Sequence, residues 1–415
     1  MFKVSQFNLF RALASRNYTL YLTGRAVSQF GTWMQRTAVV WVVYTMTHSA
    51  FWLGVAIFAE QFPSFIFSIP GGVAADRYNR YTLIKITQIT SMVQSVLLAL
   101  LVITGHASVW VILLLSIILG IINAFDVPAR QALIHDVVAS PDDLPNALSL
   151  STATASLAQL LGPALSGIIL SAYGAGVCFL LNAASFGAVI VSLLLMNLTL
   201  YQPKKTDKKV ITEFAEGFTY IRHTPGIGLI VAMLALVSLL VLPYNTVLPV
   251  FAKVVFKGDA STFGYINSFT GVGAVIGTMF LASRKPGTNL KKTLFFSSLL
   301  MGIALICFSQ FKNFPVAMFF AAIAGYGSMA QFTISNILVQ SDAAPEMRGR
   351  TMGVLLMAIF GMMPLGSLLT GAVSERIGAP ATVLAQGIIA VTIALIFVKF
   401  LMRSDHVKKP EANPD

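Results

Sequence analysis

Long apolar runs separated by short polar breaks make up almost the whole chain. Runs of roughly 17–25 residues, the length that crosses the hydrocarbon core of a bilayer as a helix, fall at about 18–45, 52–74, 82–104, 109–125, 147–171 and 176–198. They recur at about 227–249, 262–283, 293–310, 315–339, 350–373 and 380–402. Blocks such as VWVILLLSIILGII (109–122) do not alternate as the roughly ten-residue strands of an outer-membrane barrel would. The pattern predicts an all-α integral membrane protein of twelve transmembrane helices, six on either side of the one long polar stretch, 201–226. That stretch opens on a lysine-rich run and continues with Val210, Ile211, Phe214, Phe218 and Ile221 at helical spacing. It predicts a short amphipathic helix along the cytoplasmic membrane surface, with a solvated linker as the alternative. The expected divisions are an N-terminal bundle (1–200), the linker (201–226), a C-terminal bundle (227–403) and a tail (404–415).

Composition sharpens this picture. Of 415 residues, 56% are hydrophobic and only 11% charged, against about 25% charged in soluble domains, so a water-soluble fold is excluded. The net charge of +12 would point to nucleic acid in a soluble protein, but its distribution points to topology. Most lysines and arginines fall on the side shared by both termini; Lys253, Lys257, Lys312 and Arg376 fall on the other, and Arg25, Arg36 and Lys399 lie within spans. Basic loops stay in the cytoplasm, which places both termini there, in a multi-pass protein of the cytoplasmic (inner) membrane. The first 17 residues lack the apolar core and cleavage site of a signal peptide. Cys178 and Cys307 stand alone within spans, without disulfide or metal spacing.

The halves echo each other. WLGVAIFAEQFPSFIFSIPGGVAADR (52–77) has a counterpart in TFGYINSFTGVGAVIGTMFLASR (262–284), and LIHDVVASPDDLPNA (133–147) in LVQSDAAPEMRGR (338–350). After the second span comes Gly72-Val73-Ala74-Ala75-Asp76-Arg77-Tyr78-Asn79-Arg80, which resembles the G-x-x-x-D-R-x-x-R loop of the major facilitator superfamily. GTWMQR in the first span, AFDVPARQALI (124–134), RGRTMGVL (348–355) and PLGSLLTGAVSERIGAP (364–380) resemble its exporter branch of enterobactin-type siderophore exporters and drug:proton antiporters. The resemblance covers nearly the whole chain. It implies two six-helix bundles, a central cavity and alternating access driven by protons. Asn79 and Tyr81 depart from the loop signature. In the fifth span Gly162, Pro163 and Gly167 match the antiporter motif, while Ser149, Ala158 and Ser166 replace its other glycines with small residues that still allow close helix approach.

An ionisable side chain within a span costs about 2.5–3.5 kcal/mol on insertion scales and is a functional candidate by default. In the first span Arg25, Gln29, Thr32 and Arg36 recur at i, i+4, i+7 and i+11 on one helical face, flanked by Ser28 and Gln35. This stripe is the expected lining of a substrate cavity, although Arg25 also sits where it can snorkel to the interface. Glu60 lies at a depth similar to Arg36 and is its natural counter-charge. A pair that opens when the carboxylate takes a proton would couple proton flow to conformation; a purely local ion pair is the alternative. Asp126 and Arg130, four apart around Pro128, are expected where the fourth helix ends, and with Gly72, Asp76, Arg77 and Arg80 they form a candidate cytoplasmic gate. Gln159, Asn182, Tyr244 and Asn245 (after Pro243, where a kink is expected), Gln331 and Asn336 are further lining candidates, with interhelical hydrogen bonding as the alternative for the amides.

No P-loop, H-E-x-x-H or G-x-S-x-G is present, and the five histidines lack metal-ligand spacing. The chain is expected not to be an enzyme and to use no cofactor or metal. The reading is a secondary exporter of small amphipathic, siderophore-like or drug-like molecules. Its expected partners are the bilayer, protons and a small substrate that the arginine excess makes anionic; it is expected to act as a monomer and to bind no nucleic acid. A lipid or lysolipid transporter and a non-transporting sensor are the competing readings.

Overall fold

A computed structural model describes residues 10–197, 210–283 and 289–403. All regular elements among them are helical. The first half holds α1 (Arg16–Thr47), α2 (Ala50–Ile66), α3 (Ser68–Arg77), α4 (Arg80–Ile103), α5 (Val109–Val137), α6 (Leu144–Tyr173) and α7 (Ala175–Leu194). The linker contributes α8 (Val210–His223). Then α9 (Pro225–Leu240) runs through a 3-10 segment (Leu242–Val247), the single turn α10 (Leu248–Val250) and a π-helical segment (Phe251–Val255). The second half continues with α11 (Ala260–Ala282), α12 (Leu290–Gln310), α13 (Phe314–Asp342), α14 (Arg348–Ile377) and α15 (Ala379–Arg403). Among the described residues ten helical stretches are long and apolar enough to cross a bilayer, and α2 with α3, bent by 47°, makes an eleventh. The 32-residue α1 supplies the twelfth by length, but its polar stripe sets it apart from the others. The protein is an all-α, multi-pass membrane protein.

The ends of the spans follow from local chemistry. Side chains of Asn79, Ser108, Asn289 and Asn313 accept backbone N–H groups at the starts of α4, α5, α12 and α13, as N-caps do. Gly174 and Gly378, at φ 81° and 84°, end α6 and α14 in a backbone region that glycine enters without penalty. The two halves are therefore punctuated alike.

Contacts divide the chain into two units. One comprises Met1–Thr47 and Ala59–Lys208, the other His48–Phe58 and Lys209–Asp415. Within the first unit, a Cβ at Gly71 would collide with the Ala124 carbonyl, and one at Gly120 with the Glu60 carbonyl. Within the second, Gly325 meets the Thr270 carbonyl and Gly277 the Tyr326 carbonyl in the same way. The contacts of α2 and α3 with α5, and of α11 with α13, thus repeat one glycine-to-carbonyl packing.

One expectation needs correcting. Pro128 does not end the fourth span: α5 continues through it to Val137. Proline removes the N–H that would bond the carbonyl four residues back, at Ala124, and it is against this carbonyl that Gly71 packs. A neighbouring helix covers the break, and the helix carries on. The linker helix forms as α8 and is tied to the second unit. Glu216 pairs with Arg350, the Tyr220 hydroxyl accepts the Ala344 N–H at 3.1 Å, and Gly217 sits against the Arg350 backbone. The lysine run before it and the tail lie outside the described residues.

Candidate functional site

The two sides of α1 have different roles. Arg25, Gln29, Thr32 and Arg36 are all half-buried, whereas the flanking Ser28 and Gln35 are buried. Gln35 is the node of an interhelical network. Its amide donates to Gln94 at 3.1 Å, and its carbonyl oxygen accepts from Ser95 at 2.6 Å and from Asn182 at 2.8 Å. Gln94 donates onward to the Leu115 carbonyl and Ser95 to that of Phe179. Asn182, expected to line a cavity, is therefore fixed inside the first unit as a structural partner of Gln35. Ser166 and Gly162 on α6 close the same helix from the other side, against the Met34 carbonyl and the Trp33 side chain. Gly162, Pro163 and Gly167 are all buried.

Arg36 and Glu60 meet. The guanidinium Nε donates to Glu60 Oε1 at 2.7 Å, with the Arg36 side chain 39% and the Glu60 side chain 15% exposed. Arg36 also lies over the Trp33 ring, 5.6 Å from its centroid. The acid is thus the more enclosed partner, and the arginine keeps a face open.

Towards the start of α1, Arg25 Nη1 donates to the Tyr21 hydroxyl at 2.8 Å, which in turn donates to the Arg130 carbonyl at 3.3 Å. Arg25 and Arg130 line one small cavity with Tyr21 and Ser192. Arg130 pairs with Asp126, four residues earlier on α5. Asp126, only 4% exposed, also accepts from Thr87 at 2.6 Å and Gln88 at 2.9 Å on α4. Arg80 reaches Asp136 at 3.1 Å, and Asp76 and Arg77 are exposed. Gly72, the glycine of the loop signature, faces open space, and it is Gly71 that is tightly packed. The sequence reading missed Thr87, Gln88 and Asp136, whose partners lie 39, 38 and 56 residues away.

In the second half Tyr244 and Gln331 are buried, at 2% and 1% exposure. Neither amide atom of Gln331 has a partner among the described residues, which leaves a donor and an acceptor available to water or to a polar ligand group. Asn245 and Asn336 are half-buried and donate to carbonyls of their own helices, Leu242 and Phe332. Gln159 is exposed on α6. Among the described residues no group of three or more histidines, cysteines or acids is placed to hold a metal.

Comparison with known proteins agrees with this architecture. The transmembrane secretion effector family matches residues 9–413. The staphyloferrin A transporter of Staphylococcus aureus is 28% identical over 92% of this chain and 96% of its own length. The multidrug efflux pump Tap of Mycolicibacterium fortuitum is 22% identical over 90% and 93%, and the macrolide efflux protein A of Streptococcus pyogenes 22% identical over 91% and 94%. Among solved structures, a bacterial homologue of the lysosomal transporter Spinster, in an inward-facing conformation, shares the fold. Its TM-score is 0.72 at 16% identity, over 95% of this chain and 99% of that one. A membrane-embedded helical architecture, charged pairs within its spans and a family match along almost the whole sequence converge: the chain belongs to the transmembrane secretion effector family of major facilitator exporters, and it is a transporter, not an enzyme.

Proposed function

We propose that this protein exports small anionic, siderophore-like or drug-like molecules from the cytoplasm by exchange for protons, with both termini cytoplasmic. The observation that carries the reading is the Arg36–Glu60 pair within the spans. Charged Glu60 occupies the guanidinium; a proton on Glu60 removes that claim and frees Arg36 for an anionic cargo. Proton and substrate then compete for one pair of side chains, which is what antiport requires. Arg25, which has no acidic partner among the described residues, adds positive potential on the same face. A relative that carries a siderophore and others that expel drugs support a small-molecule cargo, and the basic bias of the loops supports the orientation.

The test is transport in proteoliposomes with a panel of carboxylate chelators, macrolides and lipophilic cations, with and without an imposed pH gradient. The expected result is gradient-driven movement of anionic cargo that Glu60→Gln uncouples and Arg36→Ala abolishes. A preference for lipophilic cations that survives Arg36→Ala would overturn the reading.

A further inference from the structure

Arg25 and Arg36 sit on one face of α1, but only Arg36 meets an acid among the described residues. Arg25 rests on the Tyr21 hydroxyl through Nη1, while its Nε is buried without a hydrogen-bond partner among the described residues. It borders the small cavity shared by α1, α4, α5 and α7, which Arg130 also lines. No acid lines that cavity. The nearby carboxylate of Asp126 is fully engaged, by Thr87 and Gln88 on one oxygen and by Arg130 on the other. Two guanidiniums against one carboxylate leave one positive charge beside the cavity, and a charge held away from water is costly unless it is paired.

The polar atoms around the cavity select the sign and size of a guest. Guanidinium groups donate hydrogen bonds and accept none. The Tyr21 proton is committed to the Arg130 carbonyl at 3.3 Å. Ser192 adds a hydroxyl, for which Gly24 leaves room: a Cβ there would stand 2.5 Å from Ser192 Oγ. A cation finds no anionic ligand here. A water would need acceptors for its own protons, whereas an anion accepts every donor and supplies the missing charge. The remaining walls are apolar, Ile84 and Leu193 among them, and the cavity volume of about 10 Å³ admits a single small particle. Phosphate and carboxylate groups are too large.

We infer that the cavity between Arg25, Arg130 and Ser192 binds one monatomic halide ion, chloride under ordinary conditions. The bound ion offsets the charge of Arg25 and leaves Arg36 as the arginine open to cargo. The site stands whether or not the export reading does, because it lies wholly within the first unit and needs no transport.

The test measures binding of radioactive chloride to the purified full chain in detergent, after exchange into sodium gluconate. The expected result is saturable one-to-one binding that bromide displaces and phosphate or acetate does not. Arg25→Gln is expected to weaken it roughly tenfold or more, and Ser192→Ala roughly two- to threefold. Absence of saturable binding overturns the site, as does parent-like affinity in Arg25→Gln. Displacement by phosphate as readily as by bromide overturns it too, since this cavity cannot hold phosphate. If Arg25→Gln does not yield folded protein, the Ser192→Ala affinity decides, and a parent-like value defeats the inference. The assay uses neither cargo nor gradient. Its failure leaves the export reading standing, and absent transport in proteoliposomes leaves the halide site standing.

Discussion

Gln35 and Arg36 are neighbours in sequence with opposite duties. Gln35 serves three buried side chains, so Gln35→Leu leaves Gln94, Ser95 and Asn182 short of partners. The expected loss is about 2 kcal/mol, read as a lowered Tm in detergent. Arg36 is in part open and its partner is the proposed coupling acid Glu60, so Arg36→Ala is expected to abolish transport, read in the proteoliposome assay. Asp126→Leu is the severe case. It strands Arg130, Thr87 and Gln88 in a buried site and is expected to cost about 3–5 kcal/mol, seen as a large drop in Tm or loss of the folded protein. Helical spacing made the α1 stripe legible, and matched depth made the Arg36–Glu60 contact legible. The α4 partners of Asp126 and the partner of Arg80 were not, because no local pattern records which distant loop or helix lies opposite. The same periodicity was blind to Asn182: an amide within a span reads alike whether it faces a cavity or a neighbouring glutamine.

At the scale of the helix, the spans were legible because bilayer thickness fixes their length, and the described boundaries lie close to the apolar runs. Helix ends reaching beyond the hydrocarbon were less so: α5 extends past the apolar run to Val137, since covered backbone lets a proline pass. The loop signature pointed to Gly72, yet packing pressure falls on Gly71. Gly71→Val is therefore expected to destabilise the first unit by several kcal/mol through overpacking, whereas Gly72→Ala is expected to be neutral for folding. Size-exclusion profiles after graded heating distinguish the two. At the other end of the molecule's chemistry, Asp259 caps α11 in a reciprocal capping box. The Ser261 hydroxyl, with backbone N–H groups, holds its carboxyl below its usual value against a smaller opposing effect of burial. A carboxyl lowered on folding stabilises above its unfolded pKa, and the contribution fades as pH falls through the folded one. Asp259→Asn is thus expected to flatten the acid limb of the stability profile, measured as Tm against pH.

For the molecule as a whole, the repeat visible in the sequence reappears as shared capping residues and shared glycine packing in the two halves. The two units meet in the chain at Lys208 and Lys209, and residues 48–58 group with the second unit. No hydropathy profile carries that information, because it depends on which helix Gly54 of α2 meets. The polarity of α1 has a consequence for biogenesis. An arginine at mid-membrane depth resists partitioning from the translocon into lipid by about 2.5–3.5 kcal/mol, and α1 lacks the apolarity of the other spans. Its neutralising acid, Glu60, is not synthesised until the following helix. Nascent α1 is therefore expected to wait at the lateral gate and enter the bilayer as a hairpin with α2. In an in vitro insertion assay, nascent chains stopped before residue 50 should integrate poorly. Chains extended through residue 77 should integrate well, and Glu60→Ala should return them to the poorly inserted state.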